Sequence, residues 1–80
     1  MRLPTLLRME SEPALLRRIT CDPEVCGGRA AVRDTGIPVA QIMHALAARA
    51  TESELLATHT ALDLADIRAA LLYAARVVRS

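Results

Sequence analysis

The sequence predicts a mainly α-helical domain, in which a short N-terminal β-hairpin or extended segment is followed by a three-helix helix-turn-helix bundle. Three observations carry that prediction. From Val39 onward, apolar residues recur at helical spacing, whereas the preceding twenty residues are broken by Asp22-Pro23, Gly27-Gly28 and Asp34-Thr35-Gly36. Between those breaks lie only short apolar runs, of strand rather than helix length. The last two helical stretches run short then long across a loop of about four residues, the outline of a helix-turn-helix.

Eighty residues make one domain. Residues 1–18 read as an N-terminal leader, and residues 19–80 as the domain proper. Within the leader, "SEPALLRRI" opens like a short helix, with Ser11 as N-cap and Glu12 and Pro13 in the first turn. "RRITCD" follows as a short strand, Ile19 and Cys21 on one face and Thr20 on the other. "DPEVCGG" is a turn, "AAVRD" a second short strand, and "DTGIP" a further turn that Pro38 closes. Val39, Ile42, Met43, Leu46 and Ala47 then form one apolar helical face. Thr51 caps the next helix, and Glu54 three residues on completes a capping box. Asp63 caps the longest helix, which runs to about Val78. Its expected core stripe is Leu64, Ile67, Leu71, Ala74 or Ala75, and Val78, with Leu72 and Val77 off that stripe. Two apolar faces on one helix of a small domain suggest a surface for a second subunit.

Composition narrows the function. Tyr73 is the only aromatic residue, so aromatic stacking on nucleic-acid bases is excluded. All ten basic side chains are Arg, suited to bidentate contacts with phosphate or carboxylate. Their charge is dispersed. The four arginines of residues 1–18 outweigh Glu10 and Glu12 by two charges, residues 19–38 sum to −1, and residues 39–80 balance. Nucleic-acid binding would therefore need arginines gathered by folding or dimerisation. The start, "MRLPTLLRMESEP", meets Pro4 and charges before a signal-peptide core can develop, and the charge-free run from Thr35 to Ala48 is too short and polar to span a bilayer. A cytoplasmic protein without a membrane partner is expected.

The densest stretch, "CGGRAAVRDTGIPV", matches no nucleotide-binding pattern. It lacks the second Gly, the Lys and the hydroxyl of a phosphate loop, and its adjacent glycines do not open a helix as a dinucleotide fingerprint requires. Cys21 and Cys26 stand as C-x4-C with His44 and His59 far downstream, a poor zinc pattern, and a reducing compartment disfavours a disulfide. His44 borders the first apolar face and His59 sits in the loop before Asp63. No Ser, Cys or paired carboxylate stands at a helpful spacing, so no catalytic set emerges and no enzyme, metal or cofactor is expected.

The order of blocks resembles the DUF433 family. That family shows Asp-Pro, then Gly-Arg or Gly-Lys, then a basic residue, Thr and Ile-Pro-Val, followed by a closing helix with Asp-Ile, Ala-Ala-Leu and Tyr-Ala. Asp22, Pro23, Gly28, Arg29, Arg33, Thr35, Ile37, Pro38 and Val39 occupy the first block. Leu62, Asp66, Ile67, Ala69, Ala70, Leu71, Tyr73 and Ala74 occupy the last, and the match covers about residues 19–76. Four positions depart: Ala30 replaces a Pro, Gly36 an Arg, Arg49 a Gly and Thr60 a loop Pro. Gly36 removes a side chain that could contact DNA or a partner, and Arg49 stands where left-handed geometry favours Gly. The resemblance implies a small helix-turn-helix protein, usually a homodimer, of the antitoxin type that neutralises a toxin, often a PIN-like ribonuclease, and autoregulates its operon.

On that expectation Arg17, Arg18, Arg29, Arg33, Arg49 and Arg68 are the candidate operator-DNA contacts. Leu15, Leu16, Leu72, Tyr73 and Val77 are the candidate partner or dimer contacts. The alternative is a protein-interaction module of the same fold without DNA binding. It gains from the start of the last helix, "DLADIRAAL", where Asp63 and Asp66 would repel phosphate and only Arg68 could donate. The helix-end arginines Arg76 and Arg79 are expected to balance the helix dipole instead.

Overall fold

A computed structural model describes residues 11–24 and 26–79. Helix α1 spans Glu12–Leu16, and Ser11 Oγ accepts from the Ala14 amide at 3.3 Å as its N-cap. Three two-residue strands follow: β1 (Ile19–Thr20), β2 (Ala31–Val32) and β3 (Ile37–Pro38). They form one antiparallel sheet in the order β1-β2-β3, with Ile19 opposite Val32, Val32 opposite Ile37 and Ala31 opposite Pro38. Helices α2 (Val39–Ala47), α3 (Glu52–Thr58) and α4 (Leu64–Arg79) complete the chain. Two strands were expected, and the third occupies the predicted turn and exit. Pro38 can serve there because it lies on an edge strand, where its missing amide costs no ladder bond. The ladder is carried on by its neighbour, the Val39 amide donating to the Ala30 carbonyl at 2.9 Å.

The connections are local. Glu24 donates its amide to Asp22 Oδ1 at 2.8 Å, opening the turn that ends in a short 3₁₀ segment at Cys26–Gly28. In the β2–β3 turn, Thr35 Oγ1 donates to the Val32 carbonyl at 2.9 Å and accepts from the Ile37 amide at 3.0 Å. Asp34 and Gly36 there take φ of 68° and 71°. Gly36 thus fills a left-handed position, which explains backbone tolerance for the family's Arg being absent here.

Helix α2 ends in a Schellman closure. Arg49 takes φ 74°, its amide donates to the Leu46 carbonyl at 2.9 Å, and the Ala50 amide donates to the Ala45 carbonyl at 3.0 Å. Helix α3 opens with the expected capping box: Thr51 Oγ1 accepts from the Glu54 amide at 3.0 Å, and Glu54 Oε1 accepts from the Thr51 amide at 2.7 Å. Helix α4 opens with a second reciprocal cap that uses aspartates at both places. Asp63 Oδ1 accepts from the Asp66 amide at 2.9 Å, and Asp66 Oδ2 from the Asp63 amide at 3.0 Å.

The core gathers Ile19, Val32, Val39, Ile42, Leu55, Leu62, Ile67, Ala69 and Ala70, with Leu15, Met43, Leu46 and Tyr73 packed at its edge. Helix α4 is the spine, touching α1, α2, α3 and β1. Its inward face differs from the expected stripe. Ile67 is buried as expected, but Leu64, Leu71 and Val78 are 39%, 43% and 83% exposed, while Asp66, Ala69 and Ala70 point inward. Small alanines face the neighbours because α4 lies close to them, and the larger leucines are turned to the surface. The fold is thus mainly helical, with a small three-stranded antiparallel sheet. No helix among the described residues is long and apolar enough to cross a membrane.

Candidate partner-binding groove

Where the start of α2 meets the C-terminal half of α4, the surface opens into a groove of about 270 Å³. Ala30, Pro38, Val39 and Ala40 line one side, and Tyr73, Ala74, Val77 and Val78 the other, with Arg29 at the rim. The first wall follows from the strand β3 and the helix that starts directly after it, which carry Pro38, Val39 and Ala40 in succession. The second wall follows from helical spacing, since Tyr73 and Val77, like Ala74 and Val78, are four apart and share a face. Val77 is 56% exposed. Tyr73 is half-buried, and its hydroxyl lies 3.8 Å from Cys21 Sγ, tying the end of β1 to α4. The contact with Cys21, first by hydrogen bond and then by charge, together with burial, holds the Tyr73 phenol above its ordinary pKa. The phenol is therefore neutral at physiological pH, and its apolar ring forms part of the wall.

The candidate arginines separate into two groups. Arg18 is engaged within the chain: its guanidinium donates to Asp66 Oδ1 at 2.9 Å and to both oxygens of Asp63 at 3.3 Å. Arg33, although exposed, donates Nε–H to the Arg17 carbonyl at 2.9 Å and lies 3.5 Å from the Ile19 carbonyl. Through these bonds it braces the α1–β1 junction. Arg17, Arg29, Arg49 and Arg68 are exposed at the end of α1, the groove rim, the end of α2 and the first half of α4. Arg76, assigned to the helix dipole from sequence, pairs with Glu12 of α1.

Of the candidate contact residues, the groove brings together Tyr73 and Val77. Leu15 packs against the core, while Leu16 and Leu72 are half-buried elsewhere. Sequence reasoning missed the opposite wall, Ala30 and Pro38 to Ala40, although the "IPV" exit quoted for the family contains two of its members. It also missed the Arg18–Asp63–Asp66 cluster, because Arg18 lies 45 residues from Asp63 and no local spacing signals the pair. Among the described residues, no three His, Cys, Asp or Glu side chains converge as a metal site would require.

A family model described as "Protein of unknown function (DUF433)" matches residues 19–74. The chain belongs to the DUF433 family. The matched segment contains the whole sheet, α2, α3 and most of α4, and so both walls of the groove except Val77 and Val78. No curated protein and no solved structure matches this DUF433 chain.

Proposed function

We propose that this DUF433 chain is a protein-interaction module of the antitoxin type, whose groove receives an apolar segment of a partner protein. The observation that carries this reading is the groove's lining, alkyl groups and one tyrosine ring with a single guanidinium at the rim. Such a surface gains by excluding water from a complementary apolar segment. Arg29 would then meet a carboxylate at the edge of the contact. A PIN-like ribonuclease, with an acidic metal site, is the partner class that the family resemblance suggests, and Arg29 suits such an edge. The setting would be cytoplasmic.

Operator binding is the second reading, supported by the exposure of Arg17, Arg49 and Arg68. Against it, the first turn of α4 presents two aspartates that already hold Arg18, an unfavourable end for a helix meant to approach phosphates. The test is co-purification of tagged chain from its native host at low salt, followed by nuclease assay of whatever protein it retains. A stoichiometric nuclease partner is expected, silenced by the wild-type chain and released at least about tenfold more readily from Val77→Asp. Bound DNA without a protein partner, with affinity falling steeply in salt, would instead favour the operator reading.

A further inference from the structure

Helix α1 runs antiparallel to α4. Arg18, just past the end of α1, reaches Asp63 and Asp66 at the start of α4, and Glu12, the first residue of α1, pairs with Arg76 near the end of α4. The chain therefore enters α1 beside the end of α4 that carries Val77 and Val78, two exposed members of the groove lining. Ser11, the N-cap, is extended rather than helical, at φ −65° and ψ 163°, so the chain leaves the axis of α1 there. Residues 1–10 lie outside the described residues, and they carry Leu3, Leu6 and Leu7 at the spacing of an apolar helical stripe. We propose that this leader folds back over α4 and seats Leu6 and Leu7 in the groove of its own chain, so that a partner must displace them.

Distance, composition and tethering select this occupant. From Arg76 to the groove between Val77 and Ala74 is about a third of a turn on a helix ~10–12 Å across, roughly 12 Å. Four extended residues span about that distance, which carries the chain from Ser11 to Leu7. The crossing stretch then holds Arg8 and Glu10, whose charges stay in water, and the two adjacent leucines arrive together at the groove. Seated there, they also cover Val77 and Val78. The groove's volume of about 270 Å³ is below the roughly 300–1,000 Å³ of pockets that enclose a small-molecule ligand, and it suits a pair of side chains. A segment tethered this near its site acts at an effective concentration on the order of millimolar. A weak contact is then enough to hold it, and a partner with a better-fitting apolar segment can replace it. The family's matched segment runs from residue 19 to 74, so the leader, α1, Val77 and Val78 all lie outside it. The occupancy stands on the groove's geometry, and only the displacement rests on the partner reading.

The test uses the full chain. Tyr73 is its only aromatic residue, so nuclear Overhauser contacts from ring protons to methyl groups report this wall alone. With isotope-labelled leucine methyls, contacts from the Tyr73 ring to Leu6 and Leu7 are expected. They should vanish in Leu6→Asp/Leu7→Asp, with helix content unchanged by circular dichroism. A cross-linking arm reads the same contact without relying on that variant. In a background of Cys21→Ser and Cys26→Ser, Leu7→Cys should form a disulfide with Val77→Cys within one chain on mild oxidation. It should do so about tenfold faster than with Leu64→Cys, thirteen residues or about 20 Å back along α4. Absence of the ring contacts, equal cross-linking to Leu64→Cys, or a cross-linked product of twice the monomer mass would each overturn the proposal. Failure of the partner reading would appear separately, with ring contacts and cross-link intact but no partner retained by the wild-type chain.

Discussion

Arg49 holds a left-handed backbone at the end of α2, a position that closes the Schellman motif and that glycine fills without steric cost. An L-residue with a Cβ carries about 1–2 kcal/mol of strain there, partly offset by the lower unfolded-state entropy of any residue other than glycine. Arg49→Gly is therefore expected to stabilise the chain by about 0.5–1 kcal/mol, visible as a higher midpoint in urea, and an unchanged or lower midpoint would show that the arginine side chain contributes more than its backbone costs. The site was legible from the family resemblance alone, which marked Arg49 as a departure. Burial at single positions was less legible. Periodicity gives α4 two apolar stripes, and only the neighbours packed on one side decide that Ala69 and Ala70 face inward while Leu64 and Leu71 do not.

Elements whose signals are local were read well. The capping box of α3 is complete within four residues, Thr51 to Glu54, and needs no tertiary partner to form. Thr51→Ala removes the hydroxyl that accepts from the Glu54 amide and is expected to cost about 1 kcal/mol, measured by thermal or urea unfolding. Thr51→Ser should restore most of it, and an equal loss in both would point to the methyl group rather than the cap. Of the three strands, β1 and β2 were read and β3 was not. A two-residue strand ending in proline has no periodicity to detect, and Ile37–Pro38 becomes a strand because β2 lies beside it. The groove inherits that blindness, since its first wall is built on β3 and the turn of helix that follows.

At the scale of the whole molecule, one ion cluster fastens the front of the chain to its longest helix. Arg18, between α1 and β1, reaches Asp66, whose side chain is 9% exposed, at the first turn of α4. Arg18→Ala leaves that carboxylate its capping bond but no cation, and about 1–2 kcal/mol of destabilisation is expected. The loss should diminish at high salt, where screening weakens the wild-type pair as well. A salt-independent loss would assign the effect to the packing of the arginine stem. Such a pair joins residues 48 apart, which no local reading of the sequence could connect. A second tie, Glu12 to Arg76, joins two pieces that both fall outside the family's matched segment, α1 before it and the last turn of α4 after it. The additions on either flank are thus one appendage in space. Truncating either flank would therefore release the other from this tie.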